Sequence, residues 1–439
     1  MNKKDQSRYA SWMYRIIRPF AGVGLRLFYK KIYLSNLDNL PKKGPVIIAA
    51  NHPTAFLEPC ILACFQSRPL HYLVRGDFFK KPIYAFLLKS LHMLPIYRMR
   101  DGGYEKVKTN FSTFQQCFDA LKAQKAIMIL AEGSCIHEKR LRPIRKGTAR
   151  IALGTLEKYP DMSIPIVPVG VNYTFAERAR ERVMIDFGEP IMVHNYKELF
   201  EKNNQKAINQ LTKDLRKALE ERVVSIEQKD DDELCEQLFA LDRSERKEPA
   251  GNLIKNDDSY LLAEKQICDW VNQLPGTEKE ILKEKANHYF TSLEQLDVRD
   301  EEVVKTNQTT NILGIILGFF PAAIGYLGHL LVHFPSERIA LLVKRIEFFS
   351  PVRWASYSLL GVVFYLGISI YGIVSGYWPF VVLLALLGWW TVQYADYYKK
   401  WKYEKRYNGL SDLEKERLSK ERMQLKNSIS VFQTTQAKV

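Results

Sequence analysis

Apolar positions fall into three regimes along this chain. Between about residues 40 and 190, short unbroken apolar runs alternate with stretches of helical period. Residues 46–50, 71–74, 126–130, 164–169 and 183–187 read as strands. Their apolar continuity predicts burial on both faces, as in an α/β sheet. Residues 207–305 read as mainly helical, with breaks at Pro249-Ala250-Gly251 and Pro275-Gly276. From residue 312 onward come three long apolar stretches, 312–334, 354–375 and 377–392, which exclude an ordinary soluble globule.

The last two stretches flank Gly376-Tyr377-Trp378-Pro379 and predict a two-span hairpin. Lys344, Arg345 and Arg353 precede it, and Lys399, Lys400, Lys402, Lys405 and Arg406 follow. The excess of positive charge at both flanks places them in the cytoplasm. Pro321, Gly325 and Gly328 interrupt the stretch 312–334. A third crossing there would separate the sheet region from the basic segment 338–353, so 312–334 is expected to be re-entrant or interfacial, bent at Pro321. At the other end, Trp12, Met13, Ile16, Ile17 and Phe20 recur at helical spacing among Arg8, Arg15, Arg18 and Arg26. This predicts an amphipathic helix in a membrane interface, bent at Pro19. A helix packed on the protein's own core is the alternative. Without an uninterrupted apolar h-region or a small-residue cleavage site, it does not read as a signal peptide.

Charge sharpens this division. The chain has 439 residues with 64 Lys+Arg against 49 Asp+Glu, a net +15, so an anionic partner is expected: lipid head groups, a phosphorylated substrate or nucleic acid. No helix-turn-helix, RNP-like or zinc motif accompanies the charge, so nucleic acid is not the expected partner. Residues 227–302 run the other way, with 21 acidic and 10 basic residues. The six cysteines include no Cys-x-x-Cys, which argues against a disulfide framework or a zinc site and fits a reducing compartment. The expected organisation is a basic interfacial helix (1–33), an α/β domain (34–206), an acidic helical subdomain (207–307), a re-entrant or interfacial segment (308–353), a transmembrane hairpin (354–396) and a basic cytoplasmic tail (397–439).

Four patches carry candidate chemistry. Asn51-His52-Pro53-Thr54-Ala55-Phe56-Leu57-Glu58-Pro59 follows the first predicted strand. There His52 can take a proton from a hydroxyl while Glu58 fixes its tautomer. Leu94-Pro95-Ile96-Tyr97-Arg98 places an arginine past an apolar turn, suited to clamping a phosphate. Leu130-Ala131-Glu132-Gly133-Ser134 is followed by Lys139, Arg140, Arg142, Arg145 and Lys146, five cations in eight residues. Glycine there permits close backbone approach, and the cations suit a phosphate. Ile164-Pro165-Ile166-Val167-Pro168-Val169-Gly170 reads as a buried strand lining a site. Each patch alone is as well explained by a satisfied histidine, a surface arginine, a solvated basic loop or a core strand.

In this order the four patches resemble the signature blocks of the phospholipid and glycerol acyltransferase family: NHPTAFLEP, LPIYR, AEGS and IPIVPVG, with GEPI at Gly188–Ile191 trailing. The resemblance covers roughly residues 33–220. The family's commonest form has Asp five residues after His. Here that position is Leu57, and the acid, Glu58, comes six after, as in the glycerol-3-phosphate and dihydroxyacetone-phosphate acyltransferase branch. The resemblance implies a glycerol-3-phosphate acyltransferase-like α/β domain with a helical extension and C-terminal transmembrane helices. It implies His52 as general base and Glu58 as its orienting carboxylate. Arg98, Glu132, Gly133, Ser134, Arg145 and Lys146 would bind the acceptor. Neither a metal nor a cofactor is implied; acyl-CoA or acyl carrier protein serves as co-substrate. The implied function is acyl transfer to glycerol 3-phosphate at the cytoplasmic membrane face. The alternatives are lysophosphatidate as acceptor, or a non-catalytic membrane scaffold.

Overall fold

The computed structural model describes residues 3–97, 110–305 and 310–436. These divide into two compact units, the first formed by residues 1–223, 251–258 and 339–358 and the second by the remainder.

The first unit is built on one sheet. Among the described residues its strands are β1 (Lys31–Ser35), β2 (Val46–Ala50), β3 (Leu70–Arg75), β4 (Met93–Ile96), β5 (Ala126–Leu130), β6 (Pro165–Tyr173), β7 (Arg182–Phe187), β8 (Ile191–Met192) and β9 (Leu253–Lys255). They lie in the order β4-β3-β5-β2-β6-β7-β1-β9, with β8 on β6, and all pairings are parallel except β6–β7 and β6–β8. Alternate residues of the central strands feed two cores. Ile48, Ala50 and Met128 join Leu25, Leu57 and Ile61 on one face. Ile47, Ala49 and Ile127 join Cys117, Ile151 and Leu211 on the other. Helices therefore cover both faces, which is why these strands carry no polar alternation.

All five strands expected from the sequence are present as β2, β3, β5, β6 and β7. Two of those not anticipated, β4 and β9, are the edges of the sheet. Edge strands are short and tolerate proline, and β4 contains Pro95 while β9 has three residues. β9 also arises from the stretch expected to be helical. The helix Asn204–Glu220 buries Ala207, Leu211, Leu215 and Leu219 in the second core, so the first unit extends beyond the boundary expected at residue 206.

The second unit includes the helices Asp232–Glu245, Gly276–Gln295 and Asp412–Gln436. Here the acidic segment meets the basic C-terminal one. Arg422 bonds Asp300 at 2.8 Å and Glu245 at 2.8 Å, and Lys426 bonds Glu245 at 2.6 Å. Residues 412–436, expected as part of a tail, thus form a packed helix.

Two helices, Ile346–Ser375 and Trp378–Asn408, are long and apolar enough to cross a membrane. Gly376 turns the chain between them at φ +79°, a conformation that excludes most other residues. Residues 312–341 form two helices, Ile312–Gly328 and Leu330–Leu341, bent by 68°. The bend expected at Pro321 is instead at His329, because Pro321 lies within a helix whose small residues pack closely on helix Trp378–Asn408. Trp390, Thr391 and Tyr394 of that helix donate to the carbonyls of Gly318, Ala322 and Ile315. These side chains bind carbonyls on both sides of Pro321 and hold the helix on course through it. At the bend, His329 is hydrogen-bonded through Nδ1 to the Gly325 carbonyl and through Nε2 to the Tyr365 hydroxyl, each at 2.6 Å.

Candidate active site

Parallel pairing brings the carboxyl ends of β2 and β5 together, since Ala50 aligns with Leu130. His52 and Glu132 therefore emerge side by side. The exit of β2 is fixed first by Asn51. Its side-chain amide donates to Val171 O at 2.9 Å and accepts from Val171 N at 2.7 Å, continuing the β2–β6 ladder after the main chain turns away.

The following loop ends in the helix Leu57–Phe65, whose first turn accommodates Pro59 without losing a helical hydrogen bond. Thr54 Oγ1 accepts from Leu57 N at 3.3 Å, and the Glu58 carboxylate reaches back to Thr54 N at 2.6 Å. This reciprocal cap aims Glu58 into the protein, where it has no solvent exposure. Its second oxygen faces His52 Nδ1 at 3.6 Å, and neither atom has another partner. Glu58 approaches His52 from the first turn of this helix. Tyr29 and Tyr173 lie close enough to Glu58 to feel its charge. Burial, and then the Glu58 charge, push both phenols well above their ordinary range, so they stay protonated around it.

Glu132 has a different environment. Its carboxylate accepts from His52 N at 3.2 Å and from Arg142 N at 3.1 Å, and it pairs with the Arg142 guanidinium. Arg142 also donates to Ser134 Oγ at 3.0 Å, to Ser134 O, and to His52 O at 3.4 Å. Glu132 and Ser134, expected to bind the acceptor, are thus held by Arg142, while Glu132 and Arg142 clamp the His52 N–H and carbonyl between them. Gly133 makes the turn possible at φ +72°; a Cβ there would also lie 3.1 Å from Arg145 Cγ. Arg145 and Lys146 are exposed. Arg98 lies outside the described residues; β4 ends two residues before it. Pro168 is within the fully buried β6.

Burial favours the neutral form of other reactive groups in this unit. Burial pushes the Cys60 thiol far above its ordinary range, with Cys64 and Glu58 adding to the effect. Burial also raises Cys135, against the pull of Arg345. His71, stacked on His92 at 4.6 Å, is held down to about 3 by burial and then by that second imidazole.

Asn51 and Arg142 organise the site in roles that sequence reasoning did not assign to them. Asn51 had a signal, its position directly before His52. Arg142 had only membership of a basic loop.

Residues 31–172 match the model of the Acyltransferase family. Glycerol-3-phosphate O-acyltransferase 2 of Saccharomyces cerevisiae is 32% identical over 117 residues, 26% of this chain and 16% of that protein. The chloroplastic 1-acyl-sn-glycerol-3-phosphate acyltransferase BAT2 of Brassica napus is 23% identical over 155 residues, 35% of this chain and 40% of that protein. The chain thus spans less than half the length of either relative. The solved structure of the 1-acyl-sn-glycerophosphate (LPA) acyltransferase PlsC from Thermotoga maritima aligns with 49% of this chain and 83% of that one, at 16% identity and a TM-score of 0.35.

Proposed function

We propose, from the premise that residues 31–172 are an acyltransferase-family domain, that the protein moves a fatty acyl group from an acyl thioester to a hydroxyl of glycerol 3-phosphate. The observation that carries the reading is the shielded pairing of His52 Nδ1 with Glu58 at the end of β2, which leaves Nε2 on the opposite edge of the ring. Glu58 stabilises the Nδ1–H tautomer, so Nε2 is the basic nitrogen.

His52 Nε2 takes the proton of the acceptor hydroxyl as its oxygen attacks the thioester carbonyl. The tetrahedral intermediate collapses with cleavage of the carbon–sulfur bond. The departing thiolate recovers the proton from the imidazolium, leaving an ester and a free thiol. Glu58 remains ionised and stabilises the cation between the two proton transfers. Arg98, with Arg145 and Lys146, holds the acceptor phosphate, while Gly133 allows close approach to the turn after β5. The donor is acyl-CoA or acyl carrier protein. The basic flanks of the apolar hairpin support a site on the cytoplasmic membrane face, where a soluble acceptor and a lipid product meet. The match to the Brassica napus protein favours lysophosphatidate as the second acceptor to consider.

The test is acyl transfer by the full chain in detergent or lipid. Glycerol 3-phosphate and lysophosphatidate are offered separately, each with both donors. Transfer to glycerol 3-phosphate is expected, falling by roughly 10²–10⁴-fold in His52→Ala. Transfer to lysophosphatidate alone changes the acceptor. Absence of transfer from folded protein with every pair refutes the reading.

A further inference from the structure

His52 and Glu58 stand at the two ends of one loop, and the middle of that loop is held from far outside the family-matched region. The main-chain N–H of Ala55 donates to the carbonyl of Glu347 at 3.0 Å. Glu347 lies in the first turn of the helix Ile346–Ser375. Two residues earlier, the Arg345 guanidinium bonds the carbonyl of Cys135 at 3.4 Å and the Glu347 carboxylate at 3.1 Å. Cys135 directly follows Glu132-Gly133-Ser134. Arg345 and Glu347, two residues apart, therefore touch both loops that carry the candidate chemistry.

This contact is anchored. Residues 339–358 belong to the same compact unit as the sheet. Ser350 is buried, and Trp354 is part of the core that contains Leu57, Ile61 and Tyr29. A Cβ on Gly24 of the N-terminal helix would lie 2.5 Å from Ser358 Oγ, so the two helices approach closely there. The Arg345–Glu347 ion pair is itself exposed on the arginine side, and such pairs contribute little as charge. Its value is geometric, since it ties the Cys135 turn and the Ala55 loop to one helix end.

We infer that Arg345–Glu347, at the head of the first membrane-directed helix, is a positioning element of the active site, pinning the His52–Glu58 loop through Ala55 and the Glu132–Cys135 turn through Arg345. The inference rests on the acyl-transfer reading. The 3.6 Å separation of His52 and Glu58 is just beyond hydrogen-bond distance, so a small shift of the loop decides whether base and carboxylate couple. A head of helix that also enters the apolar hairpin makes the catalytic geometry depend on an element the family-matched region lacks.

The experiment uses the full chain in lipid nanodiscs and two readouts. Hydrogen exchange of peptides covering 53–57 and 134–136 reports the contacts without any assay of activity. Steady-state kinetics reports their use. The wild-type Ala55 amide should be protected. Arg345→Ala should accelerate exchange in both peptides and lower kcat roughly ten- to a hundredfold with little change in KM for the acceptor. Arg345→Lys should recover part of both effects. Glu347→Gln keeps the main-chain carbonyl and should retain the protection of Ala55. Without the carboxylate Arg345 loses its anchor, so exchange in 134–136 should rise, and that rise carries the test if Arg345→Ala fails to fold. Unprotected Ala55 in the wild type overturns the inference, as does faster exchange in Arg345→Ala with unchanged kcat. Arg345-dependent protection in a wild-type protein that transfers no acyl group upholds the contact and refutes the acyl-transfer reading instead.

Discussion

Removing Arg142 should unlock the site from the side of Glu132. The Glu132 side chain is 2% exposed and that of Arg142 13%, so the pair is effectively buried. In Arg142→Ala the carboxylate keeps only the main-chain donors of His52 and residue 142. Breaking a buried ion pair by deleting one partner costs about 3–5 kcal/mol, chiefly because the remaining charge is uncompensated. With a urea slope of about 2 kcal/mol per M, the lower figure moves the unfolding midpoint of the first unit down by roughly 1.5 M. Pulse proteolysis of the full chain across a urea series measures that midpoint. The decisive comparison is the cycle with Glu132→Gln. Once the carboxylate is neutral, Arg142→Ala should cost far less, giving a coupling of about 2 kcal/mol or more. Costs that add to within about 0.5 kcal/mol would refute the argument, because residues so placed would then act independently.

Asn51→Leu removes both bonds to Val171 and leaves a buried N–H and a buried carbonyl without those partners; each lost partner costs about 1–3 kcal/mol, read as a fall in the thermal midpoint. Acid should release the C-terminal helix. Burial pushes Glu245 up, but Lys426 and Arg422 outweigh it and hold its carboxyl below the ordinary value of 4.5. A depressed folded-state value makes this contribution complete above the unfolded value and lost as pH falls through the folded one. Cleavage within 412–436 by an acid-active protease should therefore rise below about pH 4.5, and Glu245→Gln should show elevated cleavage already at neutral pH with a protease active there.

The parts of the fold legible in the sequence were those set by local pattern. The central strands are buried on both faces and announce themselves as continuous apolar runs, and β2 and β5 fall on their expected residues. The edges do not. β4 carries a proline and β9 is three residues long, so each depends on a neighbour the local sequence does not name. The same distinction runs through the site. His52 and Glu58 were visible because a strand end and a nearby acid are contiguous in the chain. The tasks of Arg142 and Asn51 depend on partners 10 and 120 residues away, which no local spacing encodes. The acidic segment shows the same limit: Glu245 finds Arg422 and Lys426, which lie 177 and 181 positions further along the chain. Proline also misled the reading of residues 312–334, because tertiary bonds from Trp390, Thr391 and Tyr394 carry the helix through Pro321.

The first unit is assembled from three separated pieces of chain, and this imposes an order on its synthesis. The ribosome delivers the residues of β1 through β8 before residue 193, but the outer neighbour of β1 arrives only with Leu253–Lys255. Trp354, which belongs to the core beneath the N-terminal helix, comes 99 residues after Lys255. Until then a nascent chain holds an uncovered strand edge and an unfilled apolar hollow, the features that invite mispairing. The sheet-bearing unit is thus among the first segments made and among the last to finish folding, and its completion waits on the arrival of the apolar helix that follows Arg345.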